Sequence, residues 1–155
     1  MAAAPARRNR TAICLLGGAL ACAPAGGSAG PAAPGQEVDS ALARYGRFTM
    51  QMASDSLAAF FTPDGQLVAE GQPPIVGPAA ILTHLRSFND YRVLGDSLVA
   101  DSTVADSATG LQVGHYWQRV RVPKGDTIEV RGGFEARWVR VAPHVWRLQR
   151  LATRR

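Results

Sequence analysis

From Arg92 onward the chain alternates apolar and polar residues through four long stretches. They run from Arg92 to Ala105, Thr109 to Val122, Thr127 to Val141 and Val145 to Leu151. A period of two puts one set of side chains on each face of a sheet. The links are Asp106-Ser107, Lys124-Gly125 and Ala142-Pro143-His144. Links that short join antiparallel neighbours, because a parallel crossover takes about a dozen residues or more. A sheet of this kind carries an apolar face that other elements must cover.

The residues before Arg92 supply the cover. Glu37 to Met52 has helical spacing, with Leu42, Tyr45, Phe48 and Met52 on one side. Ser54-Asp55 is placed to cap a second short helix, SLAAFF. Thr62-Pro63-Asp64-Gly65 reads as a turn in which Pro presets φ and Gly supplies a positive φ. A short strand, Gln66 to Glu70, follows. Gly77-Pro78 opens a third helix with Ile81, Leu82, Leu85 and Phe88 on its apolar face. Helices first and a strand meander last make an α+β domain, its helices on one face of a curved antiparallel sheet.

The N-terminus reads as an address. Arg7, Arg8 and Arg10 precede an apolar run, Thr11 to Ala21, too short to span a bilayer. Ala19-Leu20-Ala21 offers small residues for cleavage, and Cys22 comes next. The other cysteine, Cys14, would leave with the leader. A single cysteine at the new N-terminus resembles a bacterial lipobox, so Cys22 is the candidate lipidation site. Plain secretion after cleavage, and an N-terminus that is not a signal at all, are the other outcomes. Residues 23–36 are nearly all Ala, Gly, Pro and Ser, a tether rather than a core. The expected organisation is a signal peptide over 1–22, a linker over 23–36 and a folded domain over 37–155. The destination is the periplasm, membrane-anchored or free, or the outside of a bacterium.

The formal net charge of +5 hides an asymmetry. Arg119 to Arg155 carries ten basic and three acidic residues, whereas Ala23 to Gln118 carries four and nine. The basic residues alternate with apolar ones on strands and lack an aromatic RNA-binding signature. A solvated sheet face is therefore expected, and no nucleic-acid partner. The three histidines, at 84, 115 and 144, have no ligand spacing, so neither metal nor cofactor is expected.

With Lys124-Gly125 as a two-residue hairpin tip, His115 faces Phe134. One face then carries Leu111, Val113, His115, Trp117, Phe134, Ala136 and Trp138, and this apolar set is expected inside. Carrying the register through Asp106-Ser107 brings Leu98 opposite His115 and Asp96 opposite Trp117. His115 with Asp96 as partner could do general acid–base work; a core or edge histidine satisfied by one hydrogen bond is the other reading.

The order of the short words along the chain resembles the nuclear-transport-factor-2-like superfamily, in its SnoaL-like branch. The words are Asp55 before LAAFF, FTPDG, Gly71 with Pro73-Pro74, the GPAAI of Gly77 to Ile81, Gly114 with Tyr116, Gly125, Trp138 and Trp146-Arg147-Leu148. The resemblance implies a cone. A strongly bent sheet is closed by three helices around an apolar pocket, commonly in a dimer through the sheet's outer face. Tyr45 relative to Phe61 is similar to the oxyanion-stabilising tyrosine of the ketosteroid-isomerase branch. The position of that branch's proton-abstracting Asp is here Ala69, and the neighbouring Glu70 points to the other face.

Three functions stay open. The first is a binder of a small apolar molecule in a pocket between Tyr45, Phe60, Leu98, His115, Trp117 and Phe134. The second is an isomerase- or dehydratase-like enzyme using His115, Asp96 and Tyr45. The third is a dimerisation module.

Overall fold

A computed structural model describes residues 32–155. The leader, Cys22 and the linker up to residue 31 lie outside the described residues. Helix α1 spans Pro34–Gln51, three residues earlier than the spacing of Glu37 to Met52 suggests. Pro34 sits in its first turn, where no N–H is needed, and the Gln36 side chain accepts the Ala33 N–H at 3.4 Å. The helix ends where Met52 turns left-handed, at φ 50°. Helix α2 spans Ser54–Ala58. Ser54 and Asp55 lie inside its first turn rather than capping it. Asp55 instead accepts both bonds from Arg86 Nη2, at 2.9 and 3.2 Å, and so ties α2 to α3, Pro78–Arg86.

The strands are β1 (Phe61–Ala69), β2 (Ile75–Val76), β3 (Arg92–Ala105), β4 (Thr109–Arg121), β5 (Thr127–Ala142) and β6 (Val145–Arg154). They form one curved, unclosed sheet in the order β2-β1-β6-β5-β4-β3. The fold is α+β, with the helices of the N-terminal half on the concave side, α1 mainly across β3. One pairing departs from the expected antiparallel sheet: β1 runs parallel to β6.

Thr62-Pro63-Asp64-Gly65 does not reverse the chain. Phe61 pairs with Leu148 and Gln66 with Arg150 in the same direction, so the segment is a bulge within β1. Thr62 Oγ1 donates to Asp64 Oδ1 at 2.8 Å and closes it. Gly65 is needed for close approach, not for a positive φ. A Cβ there would lie 2.8 Å from the Leu148 carbonyl oxygen.

The largest correction is one of register. Gly114 faces Phe134, and His115 faces Gly133. The β4–β5 hairpin holds three loop residues, not two. The Val122 N–H donates to the Asp126 carbonyl and the Gly125 N–H to the Val122 carbonyl, each at 2.9 Å. Gly125 then takes φ 92°, the left-handed position that follows a type I turn in such loops. One extra residue flips every side chain of β4 to the opposite face. Gly110, Gln112, Gly114, Tyr116 and Gln118 point inward, and Leu111, Val113, His115 and Trp117 point outward.

On β5 the inward set is as expected. Phe134, Ala136 and Trp138 are buried, as are Trp146 and Leu148 on β6. They pack with Val38, Leu42, Phe60, Phe61 and Ile81 into one core. Glu37 pins the start of α1 to the β5–β6 hairpin. It accepts from Trp146 Nε1 at 2.8 Å and also engages the Arg140 guanidinium and the His144 ring. The Trp146 bond, then those to His144 and Arg140, hold its carboxyl down to about 2.

Candidate functional site

Between the helices and the concave face lies a cavity of about 600 Å3. Its floor follows the register. Asp96, Gln118 and Val130 form one cross-strand row, and Leu98 with Tyr116 forms the next. Phe134 closes the deep end, and α1 supplies Tyr45 and Thr49. At the open end stand His84, Phe88 and Tyr91, stacked edge to face with ring centroids 5.2 and 5.3 Å apart. Phe88 is 39% exposed, unusual for a ring of its size.

Asp96 is the charged group of the floor. Gln118 Nε2 donates to its Oδ1 at 2.8 Å. Its other oxygen approaches the backbone of α1 at Gly46, where a Cβ would come within 3.5 Å of it. Burial pushes the Asp96 carboxyl above its usual range, against the lowering effect of the Gln118 bond. Tyr45 is buried above it, 8% exposed. Burial, aided by the Asp96 charge, pushes its hydroxyl well above the usual tyrosine range, so it remains a protonated donor.

The residues singled out in the sequence part into three groups. Tyr45, Asp96, Leu98 and Phe134 line the cavity. Phe60 sits behind its wall, edge-on to Tyr45 at 5.4 Å and to Trp138 at 6.4 Å. His115 and Trp117 are on the outer face. His115 Nδ1 lies 3.0 Å from Asp101, both more than half exposed, and the Trp117 ring donates to Glu129 at 3.3 Å. His115 and Asp96 therefore do not meet. Ala69 lines the cavity, while Glu70 accepts the Arg155 backbone N–H outside it. Among the described residues no group of three His, Cys, Asp or Glu could hold a metal ion, and no helix is long and apolar enough to cross a membrane.

Gln118 and Tyr116 were missed, because the two-residue hairpin put them outside. The signal was present in Val122-Pro123-Lys124-Gly125. Pro at the second and Gly at the fourth position favour a type I turn, and hence the longer loop.

A cone-like sheet under three helices with a mainly apolar cavity open at one end defines a class of small α+β domains that includes isomerases and ligand binders. The chain belongs to the SnoaL-like domain family, whose model matches residues 35–152. Solved structures share the fold at low identity. One is a ketosteroid isomerase-like protein from Erwinia carotovora atroseptica, with TM-score 0.69, 16% identity, and 77% of this chain and 93% of that one covered. Another is a protein from Catenulispora acidiphila in complex with S-DNPA, with TM-score 0.60, 17% identity, and 76% and 91% covered. A third is an NTF2-like protein with a cystatin-like fold from Novosphingobium aromaticivorans, with TM-score 0.56, 20% identity, and 76% and 79% covered. A comparison with curated proteins gives no match.

Proposed function

We propose that the domain binds a small, largely apolar molecule in the concave cavity, with Leu98 and Phe134 as apolar contacts and Asp96, Gln118 and Tyr45 as its polar end. The observation that carries this reading is the cavity itself. About 600 Å3 of mainly apolar lining with a few convergent polar groups is the usual form of a small-molecule site. The test is saturable uptake of an apolar fluorescent probe by the purified protein. Val130→Trp, in the floor row beside Gln118, should weaken uptake by about tenfold or more by filling the space. Absent uptake by the wild type, or undiminished uptake by the variant, refutes the reading.

A second reading, proton transfer on the bound molecule as in an isomerase or dehydratase, is favoured by one observation. A carboxylate with a raised pKa and a tyrosine hydroxyl share the cavity. His115 has no part in it.

The outer face bears on partners. Val99, Leu111 and Val113 form an apolar strip there, each 39% exposed or more. We propose that a homodimer forms through it, and sedimentation of the same preparation at monomer mass would exclude that. Export with a lipid anchor at Cys22 rests on the leader and tether residues. Cys22→Ser is expected to abolish fatty-acid labelling and release the protein from the membrane fraction, and persistence of label would exclude the anchor.

A further inference from the structure

The convex face is divided. Its β3–β4 half carries the apolar strip of Val99, Leu111 and Val113 beside the His115–Asp101 pair, and its β5–β6 half is mainly basic. On the basic half, the end of β1 and the turn after it overhang β6 and β5. They leave a groove of about 520 Å3 that shares Val68, Ala69, Gln72 and Thr153 with the lining of the concave cavity. Its side chains include Arg137, Arg150 and Arg154.

The register sets two of these guanidinium groups against each other. Arg137 is the direct cross-strand partner of Arg150. Arg154 follows Arg150 on the same face, with the small Ala152 between them as a floor. Like charges directly opposite on a sheet destabilise it unless a counter-charge bridges them. The counter-charge among the described residues is incomplete. Arg137 Nε donates to Glu135 at 2.9 Å. Arg150 Nη1 donates to a neutral amide, Gln66 Oε1, at 2.7 Å. Glu70, the other acid of the groove, accepts the Arg155 backbone N–H at 2.9 Å and makes no bond to a guanidinium among the described residues. Two carboxylates thus stand against three guanidinium groups, and of the two only Glu135 is hydrogen-bonded to one of them. Planar guanidinium forks match the oxygens of phosphates and carboxylates, which accept two parallel bonds from each fork.

We propose that this convex groove binds a small dianion, a phosphate group or a dicarboxylate, bridged between Arg137, Arg150 and Arg154. A dianion answers both features: it adds negative charge where guanidinium groups outnumber carboxylates, and it has oxygens enough for more than one fork. The three arginines lie outside the concave cavity, and the proposal does not rest on what that cavity binds.

The test is thermal denaturation of the full-length protein in Tris chloride at constant ionic strength, titrated with inorganic phosphate and, separately, with succinate. A saturable rise in Tm with at least one of them is expected from preferential binding to the folded state. The tighter of the two identifies the ligand class. Arg150→Gln should weaken the response by about tenfold or more, as expected for loss of a charge-assisted bond. In chloride alone the same variant should melt no lower than wild type, because the opposed charges are relieved. Arg121→Gln, on the same face but outside the groove, should keep the wild-type response. No saturable response to either anion, or an equal response from Arg150→Gln, overturns the proposal.

Discussion

Trp138→Ala is expected to leave the protein largely unfolded under conditions where the wild type is folded. Trp138 is 1% exposed and packs edge-on against Phe60. Its Nε1 donates at 2.9 Å to Gln112 Oε1, and Gln112 is itself fully buried. The same amide gives its Nε2 to Asp39 at 2.9 Å and to Thr103 at 3.1 Å, which joins β4 to β3 and α1. Truncation therefore acts twice. Removing a buried indole costs about 3–5 kcal/mol through lost contacts and the residual cavity. An orphaned buried acceptor adds about 1–3 kcal/mol, less whatever a water entering the hole recovers. Total stability for a domain of this size is about 5–15 kcal/mol, so a combined loss of about 4–8 kcal/mol removes most or all of it where the wild type lies in the lower half of that range. Trp138→Phe separates the parts: it keeps much of the packing and should lose about 1–3 kcal/mol. Urea denaturation with a common m-value measures both. A loss below about 1 kcal/mol for the alanine variant would mean that the indole is not the centre of the core.

What the sequence disclosed and what it concealed follow from the range of the interactions. The bounds of β3 to β6 were legible to within a few residues, because alternation and turn chemistry are local. The inward face of β5 was legible too, because Phe134, Ala136 and Trp138 contrast sharply with Glu135 and Arg137. The inward face of β4 was not. Leu111, Val113 and Trp117 lie on the outer face, while the inner one carries Gly110, Gln112 and Gly114 before Tyr116 and Val120. Hydrophobicity therefore points the wrong way along the first half of β4. The physical cause is that inner positions of a strongly bent sheet are crowded. A Cβ at Gly114 would sit 2.0 Å from the Val99 carbonyl oxygen, and Phe134 fills the space above.

The inward placement of Asp96 and Leu98 came through two deviations that cancel. The β4–β5 loop is one residue longer than expected, which flips β4, and β3 carries a bulge between Ala100 and Ser102, which flips it back; the β3–β4 tip itself is Ser107-Ala108 rather than Asp106-Ser107. Leu98 therefore meets Tyr116 rather than His115, and both lie on the concave side. The parallel pairing of β1 with β6 had no local signal at all, since it joins residues more than 80 positions apart. The cavity depends on that pairing, and on side chains from elements that only the closed fold brings together.

Asp96→Asn is expected to raise stability at neutral pH while impairing whatever the cavity does. Burial raises the Asp96 carboxyl pKa, so the folded state binds its proton more tightly than the unfolded chain does. For a carboxyl shifted in this direction, ionisation opposes folding. Below the unfolded value, about 3.9, the group is protonated in both states and costs nothing. As pH rises through the raised folded value, the penalty reaches its full size and then stays. The asparagine variant carries no such penalty, and its amide can still pair with Gln118. Its Tm should match the wild type near pH 3 and exceed it by a growing margin up to a plateau above the folded pKa. Thermal scans across that range measure the difference directly. Function should move the other way. If the cavity supports proton transfer, wild-type protein should speed deuterium loss from the position next to the carbonyl of an apolar cyclic ketone. The variant should then be slower by about 10²–10⁴-fold, the usual contribution of a general base. Stabilisation without any wild-type exchange would make Asp96 a binding group, costly to bury and kept to hold a ligand's polar end. Destabilisation at every pH would instead make it a structural carboxylate braced against α1, and would remove it from the site.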